Sequence, residues 1–261
     1  MNRTSQAFLR SGKSNPPGLQ PLTPLEMRID SEMARMDRQI DWLTRLTPVN
    51  IDAIKTAFVA SGYRDMPDSE YGEGLTNDAP VLRSQLFALP VDQIENPLIE
   101  ALLIEKQREL DRQIELVRMR DRDGFILASV DLLDQAHDIM ASVPKQTPDE
   151  PDGDAEAVAH AARKATAFYR THSPGFKCDV IIDPNPGTAL YTSFGNLHIA
   201  SDYRVPTARI DPLIQHEIGT HAVTRHNGRC QPLKTLAGGL ADYDELQEGL
   251  AVMAEYFAGY L

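Results

Sequence analysis

His216-Glu217-Ile218-Gly219-Thr220-His221 sets two imidazoles and a carboxylate within one short segment, and Gln247-Glu248-Gly249-Leu250-Ala251 adds a further carboxylate downstream. These are the donor types of a zinc hydrolase. Zinc in such enzymes takes three protein ligands and keeps a fourth position for water, which then ionises near neutral pH. A glutamate beside the first ligand takes a proton from that water and later passes it to the leaving amine. The pattern therefore assigns His216, His221 and Glu248 as metal ligands, Zn2+ as cofactor, the zinc-bound water as nucleophile and Glu217 as catalytic base.

The spacing sets a condition on the backbone. The common zincin pattern, H-E-x-x-H, places its ligands at i and i+4. Here they stand at i and i+5. On a regular α-helix i+4 lies about 40° round from i, whereas i+5 lies about 140° round, and ligands so far apart do not share one ion. One extra residue in the turn, a π-bulge, brings His221 back to the face of His216. Gly219, inside the interval, lowers the cost of such a distortion. The sequence thus predicts a bulged or kinked helix from His216 to His221. By itself H-E-x-x-x-H is a weak signal. The surrounding elements strengthen it.

Those elements fall into four stretches: a flexible lead over 1–22, a helical region over 23–143, an acidic proline-rich linker over 144–154, and a metallopeptidase core over 155–261. Thr23-Pro24-Leu25-Glu26 is a capping box with proline at the first helical position, and apolar spacing carries that helix through Trp42 and Leu43. Asn50 caps a second helix. Leu82 to Leu89 is a short one. Asn96-Pro97 opens the longest, Leu98 to Arg120, whose charged set Glu105, Lys106, Arg108, Glu109, Asp111 and Arg112 reads as a solvated face. Phe125 to Met140 and Ala155 to His172 follow as helices. After Gly175 the pattern changes to strands: Cys178–Ile182, Ala189–Phe194 and Asn196–Ala200, separated by the Asp183-to-Gly187 turn and by Gly195. Asp211-Pro212 reads as N-cap and first residue of the His216 helix. Asp244 caps the helix that carries Glu248. The fold class is α+β, mostly helical, with a small sheet just before the metal-bearing helices.

From Asp211 onward the matching residues accumulate: His216-Glu217-Ile218-Gly219-Thr220-His221, Asn227-Gly228, Gln231-Pro232-Leu233, Gly239-Leu240, Tyr243, Leu246-Gln247-Glu248-Gly249-Leu250-Ala251 and Ala254-Glu255-Tyr256. In these the chain resembles the QEGLA-motif family, whose eukaryotic branch includes the microtubule-associated tyrosine carboxypeptidases and whose bacterial members are labelled modulators of flavohaemoglobin expression. The resemblance thins toward Leu98. It implies the same ligands and the same base, a gluzincin-like fold, and removal of a C-terminal aromatic residue, Tyr or Phe, from a peptide or protein. Because family domains continue past the QEGLA helix, it also implies that a chain ending at Leu261 is C-terminally truncated.

Further residues have roles to fill. Glu255, seven residues after Glu248, falls on nearly the same helix face and is placed to orient His216 or His221. Tyr203, His226, Tyr243 and Tyr256 are candidate donors to a developing oxyanion. Arg204, Arg209, Arg225 and Arg229 are candidates to hold a substrate's terminal carboxylate. The strand Asn196–Ala200 is a candidate edge for laying the substrate alongside the sheet, and His198 on it reads as a solvated or packed histidine rather than a fourth ligand. His137, His160 and His172 lie away from the motif and receive no role.

Composition narrows the class. The chain has 261 residues, 42% hydrophobic and 25% charged, the mix of a globular protein. A formal net charge of -12 argues against nucleic-acid binding, which needs a basic face. No apolar run approaches the roughly 20 residues of a membrane span, and no apolar signal segment follows Met1. The reading is cytoplasmic, with no membrane partner. Two cysteines, Cys178 and Cys230, read as free thiols. Nothing in the sequence sets the oligomeric state. Two rival functions stand beside the carboxypeptidase: a zinc aminopeptidase or endopeptidase on the same site, and a non-catalytic regulatory protein with a structural or vestigial zinc. Glu217 separates the last from the others, because a structural site needs no acid beside its first histidine.

Overall fold

The computed structural model describes residues 21–75, 78–120, 122, 124–133, 150–184 and 189–259. The lead as far as residue 20, most of the linker read at 144–154, the centre of the Asp183-to-Gly187 turn and the helix beyond Leu133 lie outside them. The chain divides into two compact units, one of Met1–Arg28, Pro148–Gly239 and Tyr243–Leu261, the other of Ile29–Thr147 and Leu240–Asp242. The fold is α+β and mostly helical. Among the described residues, no helix is long and apolar enough to cross a membrane.

The helical unit takes α1 (Pro24–Ile40) from Ile29 onward, then α2 (Trp42–Leu46), α3 (Ile51–Ala60), α4 (Ala79–Phe87), α5 (Pro97–Met119) and α6 (Phe125–Leu133). The capping box forms as the sequence dictates: Glu26 N–H donates to Thr23 Oγ1 at 3.2 Å and Thr23 N–H to Glu26 Oε2 at 2.6 Å. α1 ends earlier than its apolar spacing suggests. Asp41 takes φ 41°, a left-handed turn that breaks the helix before Trp42. Asn96 caps α5 through the N–H groups of Leu98 and Ile99. Asn50 does not cap α3 with its side chain; its amide instead ties a loop, accepting from Glu70 N–H and donating to Asp68 O. Ile29, Met33, Met36, Leu82, Leu86, Leu103, Leu110 and Ile114 form the core.

The charged face expected on α5 is not wholly solvated. Lys106 and Glu109 are buried, paired with each other one turn apart, with Asp37 at 3.6 Å from Lys106 Nζ. Glu109 also accepts from Asp242 N–H at 3.3 Å. Helical spacing alone marks this face as polar; the neighbouring acids that let a lysine be buried come from α1 and α5 together.

The second unit carries α7 (Ala155–His172), the three-stranded sheet of β2 (Val180–Asp183), β3 (Leu190–Ser193) and β4 (Asn196–Ala200), and a two-residue antiparallel pair, β1 (Gly153–Asp154) with β5 (Arg204–Val205). Asp154 caps α7 by accepting from Ala157 N–H at 2.9 Å. The sheet order is β2-β4-β3, β2 parallel and β3 antiparallel to β4. Phe194 (φ 48°) and Gly195 (φ 84°) join β3 to β4 as a two-residue turn with both residues left-handed, the geometry whose twist suits a hairpin. This placement corrects one expectation: Asn196–Ala200 is the central strand, and the edges, among the described strands, are β2 and β3. Leu197 and Ile199 alternate inward and are fully buried, as a central strand requires. They join Val158, Ala162, Phe176, Ile214, Ile218 and Ala222 in one core.

Candidate metal centre

The helical run that carries His216 and His221 begins at Thr207, not at Asp211. α8 (Thr207–Ile214), a π-helix (Gln215–Ala222) and α9 (Val223–Arg229) follow one another without a break. The cap comes from far upstream: Asp152 Oδ1 accepts from Thr207 N–H at 2.7 Å, and that bond holds the Asp152 carboxyl below its usual range. Pro212 lies inside α8, buried with Ile210, Leu213 and Ile214. A proline just beyond the first turn costs one backbone bond, and the burial of its face offsets this.

The distortion that the histidine spacing demands is present across the whole motif, because Gln215–Ala222 is π-helical. Thr220 Oγ1 donates to Gln215 O at 3.1 Å, five residues back, so the side chain follows the widened turn. A Cβ at Gly219 would stand 2.8 Å from Gln215 Oε1 and 3.3 Å from the Tyr169 hydroxyl of α7, which leaves room for glycine alone without local adjustment. The imidazoles of His216 and His221 face a common point, with ring centroids 5.0 Å apart.

α10 (Asp244–Phe257) packs on the π-helix and completes the cluster. Glu248 Oε2 stands 3.7 Å from His216 Nε2, and Glu248 Oε1 stands 3.5 Å from His221 Nε2. One donor atom from each of the three lies within 4.8 Å of the others. Ligands about 2.0–2.1 Å from a tetrahedral zinc are themselves about 3.3 Å apart, and the two separations of Glu248 from the histidines are close to that. Two imidazoles and a carboxylate are also the chemistry that zinc takes in open, hydrolytic sites. Glu248 is 60% exposed on its side chain, so the cluster faces solvent on one side.

Glu217, beside these three, is 7% exposed. Burial raises its carboxyl pKa above the usual value. The Thr192 hydroxyl and, when protonated, His221 and His216 oppose the rise, and Glu248 adds to it. Thr192, on β3, also donates to the Glu217 backbone carbonyl at 3.2 Å. The edge strand and the π-helix are thereby fastened at the proposed base. Nothing in the sequence marks Thr192, since its partner lies 25 residues away through space.

The remaining candidates separate by what they touch. Glu255 is buried on α10 and meets His216, with Oε1 2.7 Å from Nδ1; Arg209 Nη2 stands 3.7 Å from its Oε2. Tyr203 is half-buried, and burial raises its pKa, with Arg209 lowering it and Glu217 and Glu255 raising it further. Tyr243 donates to Gln247 Oε1 at 2.6 Å, and its pKa is pushed up to about 12 by burial. His226 is not at the cluster but pairs with Ser173 Oγ at 2.8 Å. Tyr256 is exposed, against Phe257. Arg225 donates to Ala237 O at 2.8 Å and lies over the Phe194 ring, and Arg204 donates to Tyr203 O. His198 stacks on Tyr191 at 4.8 Å. Cys178 and Cys230 are free thiols, one buried and one exposed.

A family model described as microtubule-associated tyrosine carboxypeptidase matches residues 56–261. Searches of curated proteins and of solved structures returned no match.

Proposed function

The chain belongs to the microtubule-associated tyrosine carboxypeptidase family, and from that premise we propose that it is a zinc-dependent carboxypeptidase that removes a C-terminal aromatic residue, Tyr or Phe, from a peptide or protein. The observation that carries the proposal is the convergence of His216, His221 and Glu248 on one point with Glu217 buried beside them. Zinc held by these three would polarise the scissile carbonyl and acidify a water molecule.

The chain's own residues supply the rest. Glu217 takes the proton of the attacking water and delivers it to the leaving amine. Its burial suits that task, because a carboxyl with a raised pKa is a better proton acceptor than an exposed one. Thr192 ties the backbone of Glu217 to β3 and so limits how far the base drifts. β3 pairs on one side with β4, and its other side is the sheet edge, where an extended substrate segment would add as a further strand. The half-buried Tyr203 stays protonated at neutral pH and stands near Glu217, which suits it to donate to the developing oxyanion.

The test is hydrolysis of short peptides ending in Tyr or Phe, each with a free or an amidated C-terminus, read by mass spectrometry. A zinc-loaded chain that removes one residue from the free-acid peptides and spares the amides supports the proposal. Cleavage of both forms at internal bonds favours an endopeptidase. A zinc-loaded chain that leaves every peptide intact supports a structural zinc.

A further inference from the structure

The two imidazoles of the cluster are held differently. His221 contacts Glu248 through Nε2, and no partner is recorded at its Nδ1 among the described residues. His216 also turns Nε2 toward Glu248, but its Nδ1 lies 2.7 Å from Glu255 Oε1. A carboxylate oxygen can only accept, so the proton on that line belongs to Nδ1. In the neutral imidazole Nε2 is then the bare nitrogen, and it is the nitrogen turned toward Glu248.

Glu255 is itself constrained. It sits two helical turns after Glu248 on α10 and is 5% exposed. A carboxylate buried to that degree is costly unless charge or hydrogen bonds meet it. Here one oxygen takes the His216 N–H and the other faces Arg209 Nη2 at 3.7 Å. Arg209 stands on α8, seven residues before His216. Three elements of the site, α8, the π-helix and α10, therefore meet at one carboxylate.

We infer that Glu255 is a positioning residue that fixes His216 as its Nδ1–H tautomer, so that Nε2 is presented to the metal, with Arg209 bracing the second carboxylate oxygen. The metal part of this inference rests on the zinc reading above; the tautomer does not. Glu255 accepts the Nδ1 proton, pins the ring plane, and makes Nε2 a more basic donor. His221, without such a brace, depends on the π-helix backbone for its direction.

The experiment uses the full chain, first without metal. In 15N-resolved spectra at a pH where the imidazoles are neutral, the parent should show His216 with its proton on Nδ1. Glu255→Ala should move that proton to Nε2, the ordinary preference of a free imidazole. Glu255→Gln keeps an acceptor oxygen but loses the charge, and should retain the Nδ1–H form in part. Zinc affinity, read by competition with a chromogenic chelator, should fall about 10–100-fold in Glu255→Ala and less in Glu255→Gln, as removing a carboxylate behind a ligating histidine typically does. Arg209→Met should produce a smaller loss in the same direction. If Glu255→Ala fails to fold, the comparison of parent with Glu255→Gln carries the test. A parent with His216 protonated on Nε2 overturns the inference, as does a folded Glu255→Ala that binds zinc as tightly as the parent. A parent that shows the Nδ1–H form yet takes up no zinc supports the tautomer assignment and sinks the metal reading.

Discussion

Two buried glutamates, one on α5 and one on the π-helix, share an uncommon burial and differ in company. Glu109 is 6% exposed and meets Lys106 one turn away, with Asp37 near the same ammonium. Glu217 is 7% exposed and has no lysine or arginine recorded against it among the described residues, only a threonine hydroxyl, two imidazoles and a further carboxylate. In the first case a fixed opposite charge offsets the cost of burial, and the group serves the packing of α5. In the second the cost is left standing as a raised pKa, which is the condition of a group that exchanges protons. Burial of an acid thus carries no functional meaning until its partners are counted.

The comparison breaks most sharply at turnover. Glu217→Gln should retain zinc and cut peptide hydrolysis by about 10²–10⁴-fold, the usual range for a lost general base, measured as product formed at saturating zinc. Hydrolysis at the parent's rate would remove Glu217 from the mechanism. On α5 the corresponding change is one of stability. Lys106→Met leaves Glu109 buried without its cation and should cost about 3–5 kcal/mol in denaturant unfolding. The double variant Lys106→Met/Glu109→Leu should regain most of it, because a matched apolar pair removes both desolvation costs. Failure of the double variant to recover would show that Glu109 is needed for its bond to Asp242 rather than for charge balance.

Two smaller effects sharpen the same contrast. Gly219→Ala inserts a methyl group against Gln215 and Tyr169. It should lower stability by about 1 kcal/mol, since the Gln215 side chain can move aside, and a thermal melt checks it. His226 has its pKa lowered by burial and by Arg229. In the unfolded chain it protonates near the ordinary value of 6.5, and in the folded chain only at a lower pH. The unfolded state therefore binds more protons in that interval, so stability is full above about pH 6.5 and falls as the pH drops through it. His226→Gln should flatten this part of the stability profile, and an unchanged slope would assign it to other groups.

What was legible in the sequence was what is local. Thr23 with Glu26 and Asn96 with its proline cap their helices through partners two or three residues away, within reach of a pattern. The π-helix was legible for a different reason: H-E-x-x-x-H is incompatible with a shared ion on a regular helix, so chemistry dictated the backbone. Other features were hidden because their causes are distant. The cap of α8 is Asp152, across 55 residues, so Asp211-Pro212 looked like the start of the helix. Central or edge position in a sheet depends on which strand enters between others, and Asn196–Ala200 carries no mark of it beyond its burial. Lys106 looked solvated because its acidic neighbour Asp37 lies on another helix. Glu255 stood on the right helix face, but its choice of His216 over His221 follows only from the packing of α10 on the π-helix.

Whether His216, His221 and Glu248 hold one zinc ion is read from the metal content of the purified, folded chain by elemental analysis, with His216→Ala and Glu248→Ala alongside. About one zinc per parent chain is expected, as a single three-ligand site requires, with its loss in both variants while circular dichroism shows the helices intact. A folded parent without zinc, or variants that keep it, would contradict the account.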